Sequence, residues 1–434
     1  MTHRSDRSLS VAGLARVEGE GAMHVRIDGD QVTEVQLEIY EPPRFFEALL
    51  AGRAYTEAPD ITARICGICP VAYQMSACQA IEAACGSTVD GGLADLRRLL
   101  YCGEWIESHA LHIYLLHAPD FLGYEGAVEM AQDHRALVER GLAIKKAGNE
   151  LLTVLGGRSI HPVNVRVGGF YRTPTVAELG ALAEPLRRAR DDALSTVDWV
   201  AGFEFPDFEH DHELLALVDP GRYAIDAGTP TTDRGLTFPV RAFEDHVIEE
   251  QVRHSTALHA TLAGRGRYLT GPSARYTHSH QWLSPLALEA ARAAGLGDTC
   301  RNPFRTIVVR AVELVYACDE ALRLIEAYQP LSRSSIEVPP RAGVGHGATE
   351  APRGVLFHRY TLTADGLIAD ARIVPPTAQN QACIEDDLRR FVADRLDLSD
   401  HRLTHDCEQA IRNYDPCISC ATHFLDLTVD RRRP

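Results

Sequence analysis

Two Cys-x-x-Cys pairs stand near opposite ends of a 434-residue chain, Cys66-Gly67-Ile68-Cys69 and Cys417-Ile418-Ser419-Cys420. Each pair can set two thiolates on one metal, and together they supply the four-sulfur donor set that soft transition metals take. Taken singly, such a pair reads as half of a structural zinc site or as a dithiol redox motif. The neighbouring residues add to this. Gly67 lets the backbone turn tightly beside an ion, and Arg64 sets a fixed positive charge that favours thiolate over thiol. Asp415-Pro416 stiffens the approach to the second pair, and His423 offers a ligand for another ion. If both pairs serve one centre, the fold must bring its two ends together.

The elements that would do so are mixed, with helix predominating. Met23 to Val32 alternates apolar and polar residues around a Gly-Asp turn, and Val35-Gln36-Leu37-Glu38-Ile39 continues the alternation, which predicts a small antiparallel sheet over about 10–42. From Leu93 to Leu122 the apolar spacing becomes helical, and similar periodicity over 126–155, 176–200, 242–264, 303–328 and 381–395 predicts long helices packed as a bundle. Gly354 to Leu362 followed by Ala364-Asp365-Gly366 reads as a short late hairpin. The expected class is therefore α+β, mostly α. No fixed-period repeat or low-complexity linker offers a place to divide the chain, so residues 1–423 are expected to form one interlocked domain with a helical core over 60–423.

Composition narrows the function. With 45% hydrophobic and 24% charged residues the chain can bury a large core, and its net charge of −16 opposes a general nucleic-acid or anionic-membrane surface. The Arg431-Arg432-Arg433 tail is too short to alter that. No apolar run approaches the roughly 20 residues that span a bilayer, and Met1 to Asp6 opens no signal peptide, so a cytoplasmic protein is expected. Eleven cysteines, an odd number, point to a reducing compartment with metal-bound or inert thiols rather than a disulfide framework. Cys78, Cys85, Cys102, Cys300, Cys318 and Cys383 read as small buried hydrophobes, and Cys407 stays open.

The chain resembles the large subunits of nickel-iron hydrogenases. Arg64-Ile65-Cys66-Gly67-Ile68-Cys69 and Asp415-Pro416-Cys417-Ile418-Ser419-Cys420-Ala421-Thr422-His423 look like the two signatures of that family. Arg16-Val17-Glu18-Gly19, Gly157-Arg158-Ser159-Ile160-His161-Pro162 with Gly168-Gly169, and Glu350-Ala351-Pro352-Arg353-Gly354 agree in order and spacing over nearly the whole chain.

The resemblance implies that all four cysteines bind nickel, with Cys66 and Cys417 terminal and Cys69 and Cys420 shared with an iron that carries carbon monoxide and cyanide. It implies reversible oxidation of H2, with the Cys417 thiolate as primary base and Glu18 as first proton relay. Arg353 would lie over the metals with Asp415 in the same canopy, Pro352 would line the cofactor wall, and Thr377 would donate to a second cyanide. Glu47, a backbone carbonyl near Ile373, and His423 would hold a magnesium-type ion, Mg2+ or Fe2+. Electrons would leave through a small subunit bearing iron-sulfur clusters, because no further cysteine sets are spaced for clusters here, and then through subunits that reduce NAD or NADP. No Gly-x-Gly-x-x-Gly stretch exists to bind the nucleotide directly.

Departures from the family pattern matter too. Tyr73 stands where many relatives have histidine, and Ser108-His109 where respiratory enzymes have Asp-His; both fit a soluble, cofactor-linked branch. His109, His112 and His117 suit a partly buried polar helix face better than a metal cluster. Residues 424–434 extend past His423, and the resemblance implies that a maturation endopeptidase removes them after nickel-insertion proteins have acted. A quinone-linked, complex I-type relative and a zinc-stabilised assembly protein are the alternative readings.

Overall fold

The computed structural model describes residues 7–41 and 45–422. The expected His423 ligand and the 424–434 extension lie outside the described residues.

The N-terminal sheet is a three-stranded antiparallel meander, Arg7–Val11, Gly21–Asp28 and Gln31–Ile39, as the alternation predicts. Met23, Val25 and Ile27 point to one face with Leu37 and Val35 opposite them, and that face packs on Cys383, Ile384 and Leu388 of the helix Pro376–Ala393. This single contact already joins the first forty residues to the last sixty.

The centre of the molecule is a helix bundle. Gly91–Leu111, Arg135–Gly156, Ala183–Ala201 and Thr306–Ala327 bury a continuous apolar core that includes Leu99, Ile106, Leu151, Val197 and Val312. Gly103 and Gly148 set the approach of the first two. A Cβ at Gly148 would lie 2.8 Å from the Gly103 carbonyl oxygen, so only hydrogen at that position allows the backbones this close. After Leu111 the helix loosens into a π-turn, His112–His117. The three histidines expected on a partly buried face are fully buried instead: His109, on the helix, packs on Trp105 and Glu313, and His112 and His117, in the turn, are enclosed by Arg310, Arg412 and Phe121.

Two expectations need correction. The 242–264 stretch is not a long helix: after a short turn of helix, Phe243–His246, it forms the antiparallel hairpin Val247–Gln251 and Leu258–Leu262. Ala260 and Leu262 alternate inward onto Phe238, Phe243 and Phe357, and this period of two wins over the coincidental four-residue spacing of Phe243 and Val247. The late hairpin is a three-stranded sheet, Gly343–Ala351, Gly354–Leu362 and Ile368–Val374. Its first strand, Gly-Val-Gly-His-Gly-Ala-Thr-Glu-Ala, carries no alternating apolar signal because it lies flat on the helix Pro70–Cys85. A Cβ on Gly345 would sit 1.9 Å from the Ala80 carbonyl oxygen, and one on Gly347 2.5 Å from that of Ser76. That backbone-to-backbone seam fixes the helix that follows the first cysteine pair against the strand that ends two residues before Arg353.

Candidate metal centre

The first pair leads into the helix Pro70–Cys85, with Pro70 at its first position. Glu104, from the neighbouring helix, accepts the buried first-turn N–H groups of Val71 and Ala72 at 2.6 and 3.2 Å. A carboxyl from another element thus caps the helix where the sulfur atoms must be held. The second pair sits on the short helix Ile418–Ala421. It is tied to the N-terminus by a parallel bridge between Glu18 and Cys417, in which Ile418 N–H donates to the Glu18 carbonyl at 2.8 Å.

All four cysteines are buried, and their Sγ atoms lie within 4.8 Å of one another. Cys66 and Cys417 are 3.4 Å apart, Cys69 and Cys420 3.7 Å, and Cys417 and Cys420 2.7 Å. Ile68 and Cys69 N–H groups donate to Cys66 Sγ at 3.2 and 3.4 Å, which is the tight turn that Gly67 allows. Hydrogen bonds from Cys417, Cys420 and Cys69 hold the Cys66 thiol well below its ordinary range, while burial holds those of Cys417 and Cys420 well above it. Burial of the cluster therefore opposes a build-up of thiolate charge. A bound cation would compensate that charge, so the donor set fits a thiolate-bound metal. The other seven cysteines are buried and unpaired, and burial pushes the Cys78 and Cys407 thiols up to about 12. Cys407, left open by sequence, is an inert core residue packed with Leu403 and Ile411.

The surrounding residues fall into place around the sulfur nest. Glu18 Oε2 lies 3.1 Å from Cys417 Sγ and accepts Ser419 N–H at 3.0 Å. Burial, then the nearby Cys66 charge, raise its pKa above the usual carboxylate value. Arg353 Nε donates to the Asp415 carbonyl at 2.7 Å and Nη2 to Asp415 Oδ1 at 3.1 Å. Asp415 adopts φ 51°, a left-handed conformation that turns its carboxylate back over the site. Arg353 Nη1 and Asp415 Oδ2 are buried without a hydrogen-bond partner among the described residues, as is the hydroxyl of Tyr73, which lies beside Cys420 and Cys69. Orphaned polar atoms facing a thiol cluster fit a metal that carries small polar ligands. Thr377 Oγ1 accepts Cys417 N–H at 3.0 Å, and the Pro352 carbonyl is held by Arg275 Nη2 at 2.9 Å.

Glu47 and Ile373 are also together. Ile373 N–H donates to Glu47 Oε1 at 2.7 Å, so the two meet through the amide rather than the carbonyl. Both line a cavity of about 220 Å³ whose wall includes Cys420 and Thr422. Two residues were missed by the sequence reading. Ser419 Oγ donates to Glu41 at 3.0 and 3.1 Å, and Glu41 also accepts Glu20 N–H at 2.9 Å, which places a second carboxylate next to Glu18. The only sequence signal was an acid between a strand end and Pro42-Pro43. Beneath the canopy, Arg275 bonds both oxygens of Glu313 at 2.8 and 2.9 Å and reaches Glu350 at 3.1 Å. His109 contacts Glu313 at 2.9 Å.

Four buried thiols, a carboxylate at their edge and a guanidinium above them make up the protein side of a thiolate-metal redox centre. Residues 44–140 and 286–423 match the nickel-dependent hydrogenase family. The chain is 34% identical to the sulfhydrogenase 1 subunit alpha of Pyrococcus furiosus, over 96% of this chain and 98% of that one. It is 26% identical to the NAD-reducing hydrogenase HoxS subunit beta of Cupriavidus necator, over 96% and 95% respectively. Its fold superposes on the structure of an NAD+-reducing [NiFe]-hydrogenase in the H2-reduced state with a TM-score of 0.86 and 26% identity, covering 97% of this chain and 100% of that one. The chain belongs to the nickel-dependent hydrogenase family. It is an oxidoreductase acting on H2, and the zinc-stabilised assembly reading is set aside.

Proposed function

We propose that this chain is the catalytic large subunit of a cytoplasmic, heteromeric nickel-iron hydrogenase that interconverts H2 with two protons and two electrons and exchanges those electrons with NAD or NADP. The observation that carries the reading is the convergence of Cys66, Cys69, Cys417 and Cys420 with the Glu18 carboxylate 3.1 Å from Cys417. The bound nickel-iron centre, with carbon monoxide and cyanide on iron, supplies the heterolytic cleavage of H2.

The chain's own residues handle the proton. Cys417 Sγ accepts it and passes it to Glu18 Oε2, whose raised pKa suits it to hold a proton transiently. From Glu18 the route continues past Ser419 to Glu41, a second buried carboxylate. Arg353 and Asp415 keep the opposite wall charged and rigid, and Arg353 Nη1 is free to donate to a cyanide. Thr377 fixes the Cys417 backbone, and Pro352, braced by Arg275, keeps the strand end against the cofactor. Glu47 and the Ile373 carbonyl, with His423, would hold Mg2+ or Fe2+, for which the Glu47 carboxylate would have to turn from the Ile373 amide.

Electrons leave through a small subunit with iron-sulfur clusters and then through NAD(P)-reducing subunits, partners supported by the multi-subunit names of the relatives. No helix of the described residues is long and apolar enough to cross a membrane. Nickel-insertion proteins and a maturation endopeptidase would act before residues 424–434 are removed, which the intact mass of active enzyme checks. The deciding experiment pairs metal analysis and infrared spectroscopy with Glu18→Gln. Nickel plus iron with carbonyl and cyanide bands is expected in both proteins, and hydrogen-deuterium exchange is expected to be largely abolished only in the variant. Zinc in place of nickel would defeat the centre, and retained exchange would defeat the relay.

A further inference from the structure

Beside the helix Pro376–Ala393, three side chains from different elements converge. His254 lies in the turn joining the strands Val247–Gln251 and Leu258–Leu262, His259 on the second of those strands, and Glu385 on the helix. One ligand atom from each falls within 4.8 Å of the others. His254 Nε2 is 2.7 Å from Glu385 Oε1, and His259 Nε2 is 4.0 Å from the same oxygen. The rings are nearly perpendicular, at 82° with centroids 5.6 Å apart, so the two nitrogens approach the carboxylate from different directions.

His259 makes this cluster more than an ion pair. It is 7% exposed, and its Nε2 is buried with no hydrogen-bond partner among the described residues. A buried imidazole nitrogen that faces a carboxylate beyond hydrogen-bonding distance is costly unless something lies between them. The other His-carboxylate group outside the sulfur centre, His212 with Asp386 and Asp387, differs on this point. There His212 Nε2 bonds Asp387 at 2.9 Å, Tyr414 takes the other Asp387 oxygen, and Asp386 is held by Arg267 at 2.7 Å, so every member has a partner.

We propose that His254, His259 and Glu385 form a second metal site, in which two imidazole Nε2 atoms and one carboxylate hold a zinc-class divalent ion. Donor atoms on a tetrahedral zinc lie roughly 3.4 Å apart, and the spacings of 2.7 and 4.0 Å bracket that value, so modest side-chain rotation would bring the three donors onto one ion, with water as its fourth ligand. Imidazole and carboxylate donors suit zinc among the common divalent ions. Leu37 N–H donates to Glu385 Oε1 at 2.9 Å and orients the carboxylate, as outer-shell donors do around metal ligands. Glu250 lies opposite His259 in the strand pairing, and Glu34 and Glu38 of the N-terminal sheet lie close to His254, so the surrounding field favours a cation. The nearby Arg267 is offset by its pairing with Asp386.

The ion clamps the hairpin turn to the sheet and to the helix Pro376–Ala393. Two residues past His254, Thr256 bonds the carbonyls of Ile39 and Glu41 at 3.0 Å, and Ala257 bridges Thr422. The clamp therefore braces the backbone that carries Glu41 and the end of the second cysteine pair. It acts as a structural tie and takes no part in the chemistry.

The test uses the purified hydrogenase complex with its nickel measured in the same sample, so that zinc in the cysteine centre is accounted for. After incubation with zinc chloride and desalting, wild type is expected to retain about one zinc per chain more than His259→Ala. The zinc-edge absorption spectrum should show a nitrogen and oxygen shell with two imidazoles and no sulfur. H2 oxidation with an artificial acceptor should stay unchanged in the variant. Equal zinc in wild type and variant, or a sulfur-containing shell, would overturn the site. Should His259→Ala fail to assemble, His259→Gln and Glu385→Gln replace it, and the wild-type spectrum alone still decides: a shell without two imidazoles rejects the proposal.

Discussion

Arg353→Lys separates the two tasks that the guanidinium performs. Arginine holds Asp415 by two contacts, Nε to the carbonyl at 2.7 Å and Nη2 to Oδ1 at 3.1 Å, and presents Nη1 unpartnered toward the buried site. A lysine ammonium can remake one contact with Asp415, so the loss in the resting protein is one hydrogen bond to a charged group, about 1.5–3 kcal/mol. A domain of ordinary stability survives that. What lysine cannot do is hold Asp415 and keep a planar N–H aimed at the metals, because its charge is a single point on a flexible stem. Removing one preorganised donor of this kind lowers turnover by about 100- to 1,000-fold. The variant is therefore expected to bind nickel and iron, to retain the infrared bands of the iron ligands, and to oxidise H2 with an artificial acceptor at about one hundredth of the wild-type rate or less. Wild-type turnover with intact bands would remove Arg353 from the mechanism. Lost bands would instead show that its role is to hold the centre together.

Gly345→Ala tests the seam under the first cysteine pair. The new methyl would meet the Ala80 carbonyl oxygen at 1.9 Å and the Ala84 amide nitrogen at 2.3 Å, both backbone atoms, so a destabilisation of about 3 kcal/mol or more and reduced nickel content are expected. Gly297→Ala, where a Cβ has open space, is the control, and equal thermal unfolding midpoints for the two variants would refute the seam. Glu350 offers a pH test. Burial raises its pKa from 4.5 to about 7 against the pull of Arg275, so the folded state binds the proton more tightly than the unfolded one. Its contribution is fully present below pH 4.5 and is lost as pH rises through about 7, an effect on the order of 3 kcal/mol. Glu350→Gln keeps an acceptor for Leu217 N–H and should flatten that slope in urea unfolding; parallel slopes would place the titration elsewhere.

Much of the fold was legible because its long elements obey one period each. The N-terminal meander follows from the alternation of Met23, Val25 and Ile27 with Val35 and Leu37, and the bundle helices from apolar spacing, which survives in any environment that buries one face. Failures came where tertiary contact, not pattern, chose the structure. Val247 to Leu262 has spacing compatible with either period, and the aromatic floor of Phe238, Phe243 and Phe357 selects the strand. The strand Gly343–Ala351 could not be read at all, since its glycines answer to a helix more than 250 positions earlier in the chain.

The site divides along the same line. The two Cys-x-x-Cys pairs announce four sulfur donors, yet nothing local states that they meet; that depends on the bridge between Glu18 and Cys417 and on the packing of the N-terminal sheet against the helix Pro376–Ala393. Once the ends are joined, one carboxylate does two things. Glu18 binds the second pair through backbone and side chain together, its carbonyl taking Ile418 N–H and its Oε2 taking Ser419 N–H, while the same oxygen faces Cys417 Sγ. The closure of the fold and the first step of the proposed proton route therefore rest on one residue. Glu41 escaped notice for the converse reason: it lies 378 positions from Ser419, and only the closed fold brings that pair together. A chain whose chemistry is assembled from its two ends displays its donors in sequence and hides their connections until it closes.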